Sequence, residues 1–107
     1  MIKLGVDLRG LAPQMAIAYV IAMQVYQAQA GVPCVITSGS DGTHGPNSLH
    51  YKGKALDFRT NTLRAEQVHP VYLALKAALG AQFDVVLEAT HLHVEYDPKE
   101  PEKEQHA

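Results

Sequence analysis

Apolar positions recur along this chain in two rhythms, and the change of rhythm marks its elements. Around residues 13–30, Leu11, Met15, Ala18, Ala22 and Tyr26 fall near one face at helical spacing. Ile17, Val20, Ile21 and Val25 widen that face, so the pattern predicts a well-covered helix, with Pro13 in its first turn and Gly31 just past its end. Residues 32–37 form a short β-branched run that predicts a buried strand. Residues 55–59 alternate: Leu56 and Phe58 share one face, while Ala55, Asp57 and Arg59 share the other, which predicts a half-buried strand with Asp57 turned away from the core. Val68, Val71, Tyr72, Leu75 and Leu79 make the stripe of a second helix. Thr62 suits its N-cap, Glu66 its first turn and Gly80 its end, while Pro70 predicts a kink or a delayed start. Two further strands are predicted over 83–88 and 91–96.

Between the first two strands, residues 38–48 are almost all turn formers and predict a loop. A loop this long in so small a domain points to function. No internal repeat is present, and the order helix, strand, loop, strand, helix, strand, strand predicts an α+β fold: a small antiparallel sheet with two main helices. Residues 98–107 are charged, hold two prolines and lack any large apolar side chain, which predicts a disordered tail after a single domain over 1–97.

Composition narrows the partners. The chain has 107 residues, 47% of them apolar, enough for one modest core. A formal charge of −2, with acidic and basic residues mixed, gives no footprint for nucleic acid or anionic lipid. The N-terminus shows no signal peptide, and the apolar stretch 15–23 is too short to span a bilayer. The expectation is a monomer made in the cytoplasm, with no membrane insertion. Cys34 is the sole cysteine and has no intramolecular partner; a small buried hydrophobe is the simpler reading, a nucleophile the alternative.

Two of the histidine settings carry chemistry. His50 and Asp57 are seven residues apart, with Gly53 between them to let the chain turn tightly. Imidazole with carboxylate suits zinc, although such a pair alone is more often structural or a coincidence. In the second, His91, His93 and Glu95 alternate with Leu92 and Val94, so the three polar side chains share one strand face. Taken alone, that face is as readily a solvated one. Together the two clusters point to a site of His, Asp and His with an open fourth position, the arrangement of catalytic zinc. Glu88, three residues before His91, is placed to take a proton from water and return it to a leaving amine.

These residues carry a resemblance. The spacing Ser48-x-His50-x-x-Gly53-x-Ala55-x-Asp57, followed by Glu88 and His91-x-His93, resembles the zinc D-Ala-D-Ala carboxypeptidase family, which includes VanX-type dipeptidases, L-alanyl-D-glutamate endolysins of phages and the fold shared with Hedgehog signalling domains. It runs from about Ile36 to Glu95. It implies His50, Asp57 and His93 as ligands of Zn2+, Glu88 as general base and His91 as the group that stabilises the oxyanion. Family members with a single histidine in the last strand favour His91 as ligand instead. Ser48, Ser38 and His44 are the implied substrate contacts. The Arg that many members carry after Thr-Ser-Gly is missing here; His44 or Arg59 stands as its replacement. The implied function is hydrolysis of peptidoglycan stem peptides by a phage or prophage lysis enzyme that reaches the wall through another protein's pore. The alternatives are a resident wall-remodelling enzyme, a cytoplasmic D,D-dipeptidase, or a zinc-stabilised binding module with little turnover.

Overall fold

A computed structural model describes residues 1–39 and 53–98. His44, Ser48, His50, the remainder of the predicted loop and tail residues 99–107 lie outside the described residues. The elements follow the predicted order: α1 (Pro13–Ala30), β1 (Ile36–Ser38), β2 (Ala55–Arg59), α2 (Ala65–Leu79), β3 (Phe83–Leu87) and β4 (His91–Tyr96). The four strands form one open antiparallel sheet in the order β1-β2-β4-β3, so the fold is α+β. Among the described residues no helix is long and apolar enough to cross a membrane.

Helix α1 starts at Pro13, whose fixed φ suits a first turn, and stops at Gly31, which is left-handed and donates its N–H to the Gln27 carbonyl. Met15, Ala18, Ala22 and Tyr26 form its buried stripe. The expected wider cover is found in part: Ile21 and Val25 are half-buried and pack against the core, whereas Ile17 and Val20 are 60% and 48% exposed, on the side of α1 that meets neither the sheet nor α2. Helix α2 begins later than Thr62. Thr60 to Leu63 form a turn that buries Leu63, and the buried Thr62 hydroxyl has no hydrogen-bond partner among the described residues. The cap falls to Arg64, whose backbone N–H donates to the Gln67 side chain at 2.9 Å. The helix then runs through Pro70.

Leu56, Phe58, Leu92 and Val94 are fully buried on one face of the sheet, beneath α1 and α2. Tyr26 joins this core and donates its hydroxyl to the Arg59 carbonyl at 2.9 Å. The strand expected over 32–37 is shorter and shifted. Only Ile36–Ser38 joins the ladder, with a register irregularity between Ile36 and Ser38. The outer edge of β1 is bridged in parallel by Ile2, with Lys3 donating to the Ile36 carbonyl. Cys34 is buried, which pushes its thiol up to about 12 and leaves the simpler reading in place. Strand β2 is not half-buried. It lies between β1 and β4, and Ala55 to Phe58 are all buried, Asp57 included.

Two glycines sit against the segment before α1. A Cβ on Gly39 would lie 2.3 Å from the Asp7 carbonyl oxygen, and one on Gly53 would lie 2.0 Å from that of Gly10. Gly53 also has a φ of +71° and accepts the Ala12 N–H. Gly31→Ala, with left-handed φ but open space around it, is expected to cost about 1–2 kcal/mol. Gly53→Ala adds a backbone clash and should cost about 3 kcal/mol or more in urea unfolding. Equal losses at the two positions would contradict this packing.

Candidate metal centre

Antiparallel pairing of β2 with β4 sets Asp57 opposite His93 and Arg59 opposite His91. Directly opposed residues share a face, so these four side chains lie on the side of the sheet away from the helices. Ser38 is the β1 partner of Asp57 and continues the row. The β3–β4 hairpin closes through Ala89 and Thr90, with the Glu88 N–H donating to the His91 carbonyl at 2.9 Å. That turn brings the Glu88 side chain back over His91.

The contacts form a chain. His93 Nδ1 lies 3.0 Å from Asp57 Oδ1, and His93 Nε2 lies 2.7 Å from Glu95 Oε1. His91 Nε2 lies 3.7 Å from the second Asp57 oxygen and 2.6 Å from Glu88 Oε1. With that N–H directed at Glu88, His91 Nδ1 is left to accept the Thr90 hydroxyl at 3.1 Å. Asp57 thus offers one carboxylate oxygen to each histidine. Depth differs along the chain: the Asp57 and His93 side chains are 11% and 19% exposed, Glu88 48%.

His93 stands between two carboxylates. Its hydrogen bond to Asp57 is the largest cause raising its pKa; burial opposes this, and Glu95 adds to it, for a value of about 9. The imidazole therefore carries both protons at neutral pH, one shared with each carboxylate. The proton between His93 Nδ1 and Asp57 is the one a divalent cation would displace. The Nε2 bond to Glu95 is the outer carboxylate contact that orients a ligating imidazole. One carboxylate and one imidazole so arranged fit zinc.

Of the residues expected at the site, the structure brings Asp57, His93, His91 and Glu88 together, with Ser38 alongside. His50, Ser48 and His44 lie outside the described residues. Sequence reasoning gave Glu95 no role, although its two-residue spacing from His93 was visible. It also missed an acidic group: Asp84, Glu95 and Asp97 bring carboxylate oxygens within 4.8 Å of one another, a possible cation site. Asp84 faces Glu95 across β3 and β4, a proximity that only register reveals. An all-carboxylate set suits a hard cation better than zinc.

In the metal-free protein, His93 is expected to titrate near 9 by NMR, and Asp57→Asn should lower this value. A proton bound more tightly in the folded state stabilises it fully below the ordinary value of 6.5, and that stability is lost as pH rises through 9. A His93 titration near 6.5 would contradict the contact.

The family model for the Hedgehog amino-terminal signalling domain matches residues 15–96. The match covers more than three quarters of the chain, from the first buried residue of α1 to the end of β4. Comparison with curated proteins gives no match.

Proposed function

The chain belongs to the Hedgehog amino-terminal signalling domain family, whose fold is related to zinc peptidases, and from that premise we propose that it is a zinc-dependent peptidase acting on the stem peptides of bacterial peptidoglycan. The observation that carries this reading is the contact of buried Asp57 with His93, beside an exposed Glu88 on His91. A side-chain set that only stabilised the fold would not need a carboxylate at the open rim.

Asp57 and His93 hold the metal in this reading, with His50 as third ligand. His93 is preferred to His91 because its nitrogen lies closer to Asp57, at 3.0 Å against 3.7 Å. Zinc, when bound, supplies Lewis acidity to water and to the scissile carbonyl. Glu88 accepts the proton of the attacking water as oxygen bonds to the carbonyl carbon. It then delivers that proton to the amine nitrogen as the carbon–nitrogen bond breaks. His91, held 2.6 Å from Glu88, stabilises the negative charge that develops on the carbonyl oxygen. Ser38, Ser48 and His44 contact the peptide. The catalytic unit spans residues 1–97, acts as a monomer and serves lysis by a phage or prophage; the resemblance to small endolysins supports that setting.

The family's description as a signalling domain favours a second reading, a zinc-stabilised binding module with little turnover. Digestion of purified peptidoglycan separates the two. The protein should release peptide fragments, a chelator should stop the release, and Glu88→Ala should lower the rate by about 100-fold or more while keeping its zinc. No release from zinc-loaded protein would favour the binding module, and full activity of Glu88→Ala would contradict the base assignment.

A further inference from the structure

Strand β3 is an outer strand of the sheet, and among the described residues its only strand neighbour is β4. The other outer strand, β1, is closed: Ile2 bridges it, and the Ile36 N–H and C=O bond Met1 and Lys3. Hydrogen bonds at the two ends of β3 show where its backbone points. The Asp97 N–H donates to the Gln82 carbonyl, and the Glu88 N–H to the His91 carbonyl, each at 2.9 Å. Bonded pairs recur at every second residue of an antiparallel ladder, so Asp84 and Val86 turn their N–H and C=O toward Glu95 and His93 of β4. Val85 and Leu87 turn theirs to the open edge. The Phe83 carbonyl does the same, while the Phe83 N–H reaches the Gly80 carbonyl at 3.3 Å.

Open strand edges are ordinarily blunted by lysine, proline or a bulge. Residues 83–87 read Phe-Asp-Val-Val-Leu and pair with β4 in unbroken register. Val86 and Leu87 are 45% and 39% exposed. Main-chain donors and acceptors flanked by exposed apolar side chains call for another strand, and β3 fits itself. In an antiparallel pair with Val85 on a twofold axis, Val85 of each copy donates to and accepts from Val85 of the other. Each Leu87 N–H then donates to the second copy's Phe83 carbonyl. The side chains agree: Leu87 gains the second copy's Phe83 as a neighbour on the core face, and Val86 lies opposite the second copy's Asp84 on the other face. Both neighbouring registers oppose carboxylates. An axis at Val86 sets Asp84 against the second copy's Glu88, and an axis at Asp84 sets the two Asp84 side chains against each other, which is destabilising.

We infer that β3 is a self-association edge, at which two copies of this chain pair about Val85 and join their four-stranded sheets into one continuous sheet. The inference goes beyond the peptidase reading and does not depend on it. Asp57, His93, His91 and Glu88 of each site come from one chain, so the single chain remains the catalytic unit and the pairing joins two such units. An edge of five residues is a small contact, and the association is accordingly weak, with a Kd on the order of 10–100 µM.

The test is sedimentation velocity on the full chain over a range of concentrations, joined to amide hydrogen exchange. The chain should pass from monomer to dimer. Leu87→Lys, which places a charge beside the second copy's Phe83, should weaken the dimer by about tenfold or more. Ile17→Lys, on the exposed side of α1, should leave it unchanged. Exchange in the unaltered protein reads the edge directly. Raising the concentration through the Kd should slow the Val85 and Leu87 amides and leave those of Asp84 and Val86, already bonded to β4, as they were. A chain that stays monomeric at about 1 mM overturns the inference. So does a dimer that Ile17→Lys dissolves and Leu87→Lys does not, which would put the contact on α1. A dimer in which the Val85 and Leu87 amides exchange as fast as in the monomer overturns it as well.

Discussion

A carboxylate taken almost wholly out of water and set against an imidazole is the constraint on which the site depends. Asp57 is 8% exposed, and such a group is costly to bury unless charge and hydrogen bonds compensate it. His93 supplies both, and strand register decides that it does. A slip of one residue between β2 and β4 would set Leu92 or Val94 opposite Asp57 and turn His93 into the core. The register that buries Leu56, Phe58, Leu92 and Val94 beneath the helices is thus the one that sets Asp57 against His93. Core packing and site geometry are two faces of a single pairing.

The same sheet separates two kinds of task by depth. The groups proposed to hold a metal lie deep, where a low dielectric strengthens their contact. The groups proposed to move protons lie on the hairpin turn, where Glu88 has access to water and substrate. Beyond the turn, the side chains change from acidic to basic, and Arg59 and Lys3 face a cavity without a carboxylate. The Glu88–His91 pair and the cavity are therefore neighbours on one edge, linked by Thr90.

Much of this was legible in the sequence, where local rules decide. The alternation of His91, Leu92, His93 and Val94 fixed which side chains meet the core, and the structure follows it. Pro13 and Gly31 bounded α1 because both act through their own backbone. What escaped was set by tertiary context. Thr62 looks like a cap, but the turn that buries Leu63 moves the helix start to Arg64. Asp57 lies on the outward face that alternation assigns it, but its burial there was not legible, because alternation gives the face of a residue and not what lies beside it. The bond of Glu95 to His93 and the approach of Asp84 to Glu95 both depend on pairing between distant segments. Lys3 reached the Arg59 cavity through a bridge from Ile2 to β1 that no pattern announced.

Zinc content is the most direct test of the central claim that Asp57 and His93 hold a metal. Elemental analysis of the purified protein should give one zinc per chain, lost in Asp57→Ala and in His93→Ala and kept in His91→Gln. Zinc kept without His93 but lost without His91 would overturn the ligand assignment. A zinc-free protein that stays zinc-free in the presence of excess metal would contradict the account itself.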